Sequence, residues 1–159
     1  MQKKNYFRVL ELEERFTFDP ADSLEKSYLA LQKELRSTSN SVKEDSAIYE
    51  KVQLLNKAYH LLKDPVNRAQ HLLELSGYTN LSDKSCPGLL MQIVALEEKV
   101  ENGRTVEVLP LVENMYLDAL QQMEEAFNCK DYDSASSHCM GLKYLEKLKQ
   151  RIYASDNNQ

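Results

Sequence analysis

Carboxylates, imidazoles and thiols are the side chains of this sequence that could do chemistry, and their spacing decides which kind. Glu97, Glu98 and Glu101 lie close enough in sequence to suggest a paired acid and base. At helical spacing, however, they fall on solvated faces and read as ordinary surface charge. His60, His71 and His138 are spread over three segments, and Cys86, Cys129 and Cys139 are odd in number with no Cys-x-x-Cys pair. Except for the adjacent Cys139 beside His138, no histidine has a Cys or His partner at ligand spacing, so the thiols read as reduced and structural and no metal site is expected. A Gly-rich phosphate loop, a nucleophile elbow, a His-Glu-x-x-His helix and a repeated-aspartate run are all missing, and glycine totals 4. The expectation is a protein that is not an enzyme and holds no cofactor.

Glycine and proline together are 8 of 159 residues, about half the usual share, which argues for helices throughout. A hydrophobic fraction of 42% against 28% charged residues is enough for a packed core. No apolar run reaches the roughly 18 residues of a membrane span, and no apolar signal core follows the first lysines. A soluble cytoplasmic protein is expected. Net charge is -5; up to Tyr78 the chain carries 12 basic and 12 acidic residues, and beyond it 8 and 13. Neither half has the basic footprint that nucleic-acid binding needs.

Two helical units emerge along the chain. In the first, Leu24, Tyr28, Leu31 and Leu35 form one helical face behind a cap at Asp22 or Ser23, with Lys26, Lys33 and Arg36 on the opposite side. A polar stretch from Arg36 to Ser46 reads as a loop. A second helix, starting near Glu44 to Ser46, carries Ile48, Val52, Leu55, Tyr59 and Leu62, making an antiparallel hairpin. Asp64-Pro65 opens a short helix from Val66 to Leu75, Asp as N-cap and Pro at the first position. Tyr6, Phe7, Tyr28, Tyr59 and Tyr78 read as core aromatics. The turn-rich run after Ser76 is a linker. Three helices follow, from Gly88 to Glu101, from about Thr105 to Phe127 and from about Ser134 to Tyr153. Asn102-Gly103 and Asn128 to Asp131 are the turns, and Pro110 kinks the middle helix or marks its true start. The units are 1–76, a linker at 77–87, a three-helix unit at 88–154 and a frayed tail at 155–159.

The helix after the linker has two apolar faces. Leu89, Ile93, Leu96 and Val100 superimpose as a core stripe at about 100° per residue. Leu90, Met91 and Val94 lie well round the cylinder, with Glu98 among them. Periodicity alone leaves two covers for this second stripe, a protein partner or the other unit.

The sequence resembles a known family along nearly its whole length. Asn5-Tyr-Phe-Arg-Val-Leu10 is similar to the opening of a J domain. Leu55-Asn-Lys-Ala-Tyr-His-Leu-Leu-Lys-Asp-Pro-Val-Asn-Arg-Ala-Gln-His-Leu-Leu73 is similar to its second long helix and end. Leu72-Leu-Glu-Leu-Ser-Gly-Tyr78, Leu89-Leu-Met-Gln-Ile-Val-Ala-Leu-Glu-Glu98 and Gly141-Leu-Lys-Tyr-Leu-Glu-Lys-Leu148 resemble one branch, the HscB co-chaperones. The resemblance implies an all-α fold, with an N-terminal J-domain-like hairpin and a C-terminal three-helix bundle. It implies two partners, the IscU-type iron–sulfur scaffold and a DnaK-type ATPase chaperone of the HscA type. On this likeness Leu90, Met91, Val94, Glu98 and Tyr144 match the scaffold-binding face, which favours a partner as the cover of the second stripe. Lys26 and Lys33 match the basic helix that meets the ATPase. Ala95 and Glu97 depart from the family's acidic and basic residues at those positions.

A larger departure lies in the loop of the hairpin. Where the family carries His-Pro-Asp, this chain has Arg36-Ser37-Thr38. The reading is therefore a co-chaperone that delivers scaffold to chaperone, with a non-stimulating structural or regulatory adaptor as the alternative.

Overall fold

The computed structural model describes residues 4–17, 23–38, 42–78 and 87–157, all of whose regular structure is helical. The chain divides into two compact units, Met1–Ser76 and Gly77–Gln159. The first contains α1 (Tyr6–Val9), α2 (Ser23–Ser37), α3 (Val42–Lys63) and α4 (Pro65–Leu75). The second contains α5 (Pro87–Glu101), α6 (Thr105–Asn128) and α7 (Tyr132–Asn157).

In the first unit the four-residue α1 forms because Asn5 caps it. The Asn5 carboxamide oxygen accepts from the amides of Phe7 at 3.1 Å and Arg8 at 3.3 Å. Phe7 and Leu10 are thereby placed in the core with Leu55, Ala58, Leu62, Val66, Ala69 and Leu73. His71 is buried here rather than free for chemistry. Its Nε2 accepts the Tyr6 amide at 3.1 Å, and its ring stacks on Phe7 at 5.7 Å. Changing His71→Leu keeps the bulk but removes that acceptor, and should cost about 1–3 kcal/mol because the Tyr6 amide loses its partner. Urea unfolding measures this, and unchanged stability in the variant would show that the bond contributes nothing.

Helix α2 packs on α3 along the predicted stripe, but none of its residues is fully buried. The Tyr28 ring stacks on Tyr59 at 4.2 Å, and its hydroxyl donates to Asn56 Oδ1 at 2.5 Å. Thus of the expected core aromatics, Phe7 is buried, while Tyr6, Tyr28, Tyr59 and Tyr78 are half-buried with polar atoms engaged or near solvent. Helix α3 begins at Val42, earlier than the Glu44 to Ser46 start expected from its polar lead-in. Asp64 does occupy the N-cap of α4 with Pro65 at the first position, yet its carboxylate makes no capping bond; its carbonyl accepts the Arg68 amide at 2.9 Å. The Arg68 guanidinium instead donates to the Leu62 carbonyl at 2.8 Å and lies over Phe16, 4.9 Å from the ring centre, fastening the chain after α1 to the α3–α4 corner.

In the second unit α6 and α7 form a long antiparallel hairpin across the short turn at 129–131, with α5 laid on both. Ile93, Leu96 and Val100 of α5 pack with Val108, Val112, Leu145, Leu148 and Ile152. Gly103 takes a left-handed φ of 79°, which lets the Arg104 amide reach back to the Lys99 carbonyl at 3.0 Å and closes α5. One expectation is corrected. Pro110 lies inside α6, which starts five residues earlier at Thr105, so it does not mark the start. The missing hydrogen bond falls on the Val106 carbonyl in the exposed first turn, where a helix end leaves backbone groups open to solvent in any case. Of the expected tail, α7 includes Ser155 to Asn157, and the Thr105 hydroxyl donates to Asp156 Oδ1 at 3.1 Å, tying the end of α7 to the start of α6; residues 158–159 lie outside the described residues. Residues 79–86 of the expected linker, Cys86 among them, lie outside the described residues.

Candidate partner-binding faces

Helix α5 is amphipathic twice over. Ile93, Leu96 and Val100 are buried and Leu89 packs against the same core, so the helix cannot turn its other apolar side inward. Met91 is consequently 75% exposed and Val94 61% exposed. Leu90 is half-buried at the edge of this stripe, and Glu98 is exposed one turn beyond Val94. Tyr144 is on α7, half-buried against the core. Three residues before it stands Gly141, where a Cβ would run into the Leu89 side chain. That close approach seats α5 on α7 beside Tyr144, and the absence of a side chain at Gly141 makes room for it.

The rim is acidic but partly tied down. Arg151 of α7 reaches Glu97 at 3.4 Å and Glu101 at 3.5 Å, solvent-exposed ion pairs between α5 and α7. Glu98 shares no ion pair with them. His138, half-buried on α7, has its pKa pushed below the ordinary imidazole range by burial, with the Asp131 charge pulling the other way. Among the described residues no group of three or more His, Cys, Asp or Glu could hold a metal ion.

In the first unit, Lys26, Lys33 and Arg36 are all exposed on α2. Between them stands Leu29, 53% exposed. Leu29 was not singled out from the sequence. The signal was present, since it falls off the Leu24, Tyr28, Leu31, Leu35 stripe and within the arc of the basic residues. Ser37 is the last residue of α2 and Thr38 follows in the turn. Both hydroxyls turn back on their own helix, Ser37 Oγ donating to the Glu34 carbonyl at 2.8 Å and Thr38 Oγ1 to the Leu35 carbonyl at 3.1 Å. They satisfy carbonyls left open at a helix end and present no acceptor charge outward. Thr38 also edges a groove of about 430 Å³ whose floor is Leu31, Leu35, Leu54 and Leu55. Residues 39–41 of the loop lie outside the described residues. No helix among the described residues is long and apolar enough to cross a membrane.

A helical hairpin followed by a three-helix unit is the all-α architecture that the likeness to HscB co-chaperones implies. The comparisons agree with it. Residues 86–153 match the family model described as the HSCB C-terminal oligomerisation domain. The co-chaperone protein HscB of Proteus mirabilis is 26% identical over 162 residues, covering 93% of each chain, and the HscB homologue of Neisseria meningitidis is 28% identical, covering 92% of this chain and 96% of its own. Among solved structures, the chaperone HscB from Vibrio cholerae is similar with a TM-score of 0.81 at 25% identity, covering 98% of this chain and 99% of that one. Human HscB has a TM-score of 0.85 at 21% identity, covering 98% and 84%, a likeness of fold. These likenesses make the chain similar to the HscB co-chaperones along nearly its whole length.

Proposed function

We propose that this chain is a non-enzymatic, cytoplasmic co-chaperone of iron–sulfur cluster assembly, which binds an IscU-type scaffold protein through α5 and brings it to an HscA-type, DnaK-like ATPase chaperone through α2. The observation that carries the reading is the second apolar stripe of α5, left exposed at Met91 and Val94 while the opposite stripe is buried. Exposed apolar anchors bounded by a carboxylate such as Glu98 are what a desolvated interface core with a polar rim needs. Met91 is unbranched and polarizable, and so adapts to a partner surface. Tyr144 would add an aromatic ring from the neighbouring helix. On α2, Lys26, Lys33 and Arg36 supply exposed positive charge for docking, which raises encounter rate more than affinity.

A second reading rests on Arg36-Ser37-Thr38. With both hydroxyls folded back onto α2, the chain holds scaffold and chaperone together without triggering ATP hydrolysis. Titrating purified scaffold into the full chain by calorimetry tests the shared part of both readings. A saturable complex is expected, and no binding at any attainable concentration would overturn them.

A further inference from the structure

Helix α6 carries Glu107, Glu113, Asp118, Glu124 and Glu125, and not one lysine or arginine, in its 24 residues. At about 100° per residue, Val106, Pro110, Glu113, Leu117 and Glu124 fall within about 60° of one another, opposite the buried Val108, Val112, Ala119 and Met123. Val106 is 86% exposed and Leu117 63% exposed. The outer side of α6 is thus an apolar stripe in an acidic field, on a different helix from the scaffold face proposed above.

The outer side of α2 is its counterpart, exposed Leu29 among Lys26, Lys33 and Arg36. We propose that a second copy of this chain docks its α2 face on the α6 stripe, head to tail. Charge complementarity selects this occupant, and so does spacing. Lys33 and Leu29 are four residues apart, as are Glu113 and Leu117, about 6 Å along each axis. With the two helices antiparallel, Leu29 meets Leu117 when Lys33 meets Glu113. Lys26 then lies about 6 Å along the axis from Glu124, within the joint reach of two long side chains. Pairing one α6 with another α6 instead opposes like charges. A head-to-tail contact leaves one α2 and one α6 face open at the ends, so the assembly grows with concentration. Exposed charges are screened by salt, so it shrinks at high ionic strength. The contact does not depend on either partner proposed above.

Sedimentation velocity of the full chain over a wide concentration range tests it, with two charge-reversed variants whose helicity is checked by circular dichroism. One carries Lys26→Glu and Lys33→Glu, the other Glu113→Lys and Glu124→Lys. The native chain should associate at low salt. Each variant alone should associate at least about tenfold more weakly, and an equimolar mixture should recover native association, because each α2 then meets an α6 of opposite sign. Leu117→Ser, which changes no charge and no buried residue, should weaken it several-fold. A native chain that stays monomeric at low salt, a variant that associates like the native chain, or a mixture that recovers nothing would overturn the proposal.

Discussion

Replacing Leu90, Met91 and Val94 together by alanine is expected to cost about 2–4 kcal/mol of scaffold binding, a loss of roughly thirtyfold to a thousandfold. Met91 and Val94 are mostly exposed in the free chain, so an interface that covers them gains most of their apolar area, about 1.5–3 kcal/mol for each fully buried side chain before binding costs. Their loss should leave the fold intact, since the core stripe of Ile93, Leu96 and Val100 is untouched. Leu90 is half-buried, and Leu90→Ala alone separates its share in the fold from its share in the contact. Calorimetry on the folded triple variant gives the answer, and native affinity there would rule out α5 as the scaffold face.

The second large effect is expected in ATP hydrolysis by the chaperone. Placing Arg36→His, Ser37→Pro and Thr38→Asp together in the chain should raise stimulation at least about tenfold, equivalent to about 1.4 kcal/mol of barrier. Ser37 and Thr38 spend their hydroxyls on the last carbonyls of α2. Proline at 37 fixes its own dihedral and moves residue 36 out of the helical region, so α2 would end earlier and the loop would leave it at a new angle. Aspartate at 38 provides a carboxylate for charge-assisted hydrogen bonds from a basic partner site. Docking on α2 charge alone shifts no chaperone equilibrium unless one chaperone state is bound better than the other. Single-turnover hydrolysis at saturating chain, with scaffold present, compares the two. Equal and strong stimulation by both would mean that the basic face of α2 suffices.

Apolar periodicity made most of the helices legible, because burying one stripe is what stabilises a helix in a small unit. Leu89, Ile93, Leu96 and Val100 assigned the inner side of α5, and that assignment also left Met91 and Val94 facing out. Helix ends were less legible, since they depend on contacts distant in sequence. Asp156 near the end of α7 accepts from Thr105, 51 residues away, a contact that no local propensity encodes. Pro110 is tolerated inside α6 because the carbonyl it orphans is near solvent at an exposed first turn. The same limit applied to the faces. Leu29 could be read as off-stripe from spacing alone, whereas Gly141 as the seat of Leu89 required knowing which helices touch. Glu97 and Glu101 read as solvated surface charge, and their side chains are solvent-accessible, but their pairing with Arg151 of the last helix depends on which helices touch.

The central claim is that one chain holds scaffold and chaperone at the same time, each on its own unit. Mass photometry of this chain mixed with a purified iron–sulfur scaffold and a purified HscA-type chaperone tests it most directly. The account predicts a species with the summed mass of all three, lost in the Leu90, Met91 and Val94 triple-alanine variant while the chain–chaperone pair remains. A mixture showing only pairs, in which scaffold and chaperone displace one another from the chain, would contradict it.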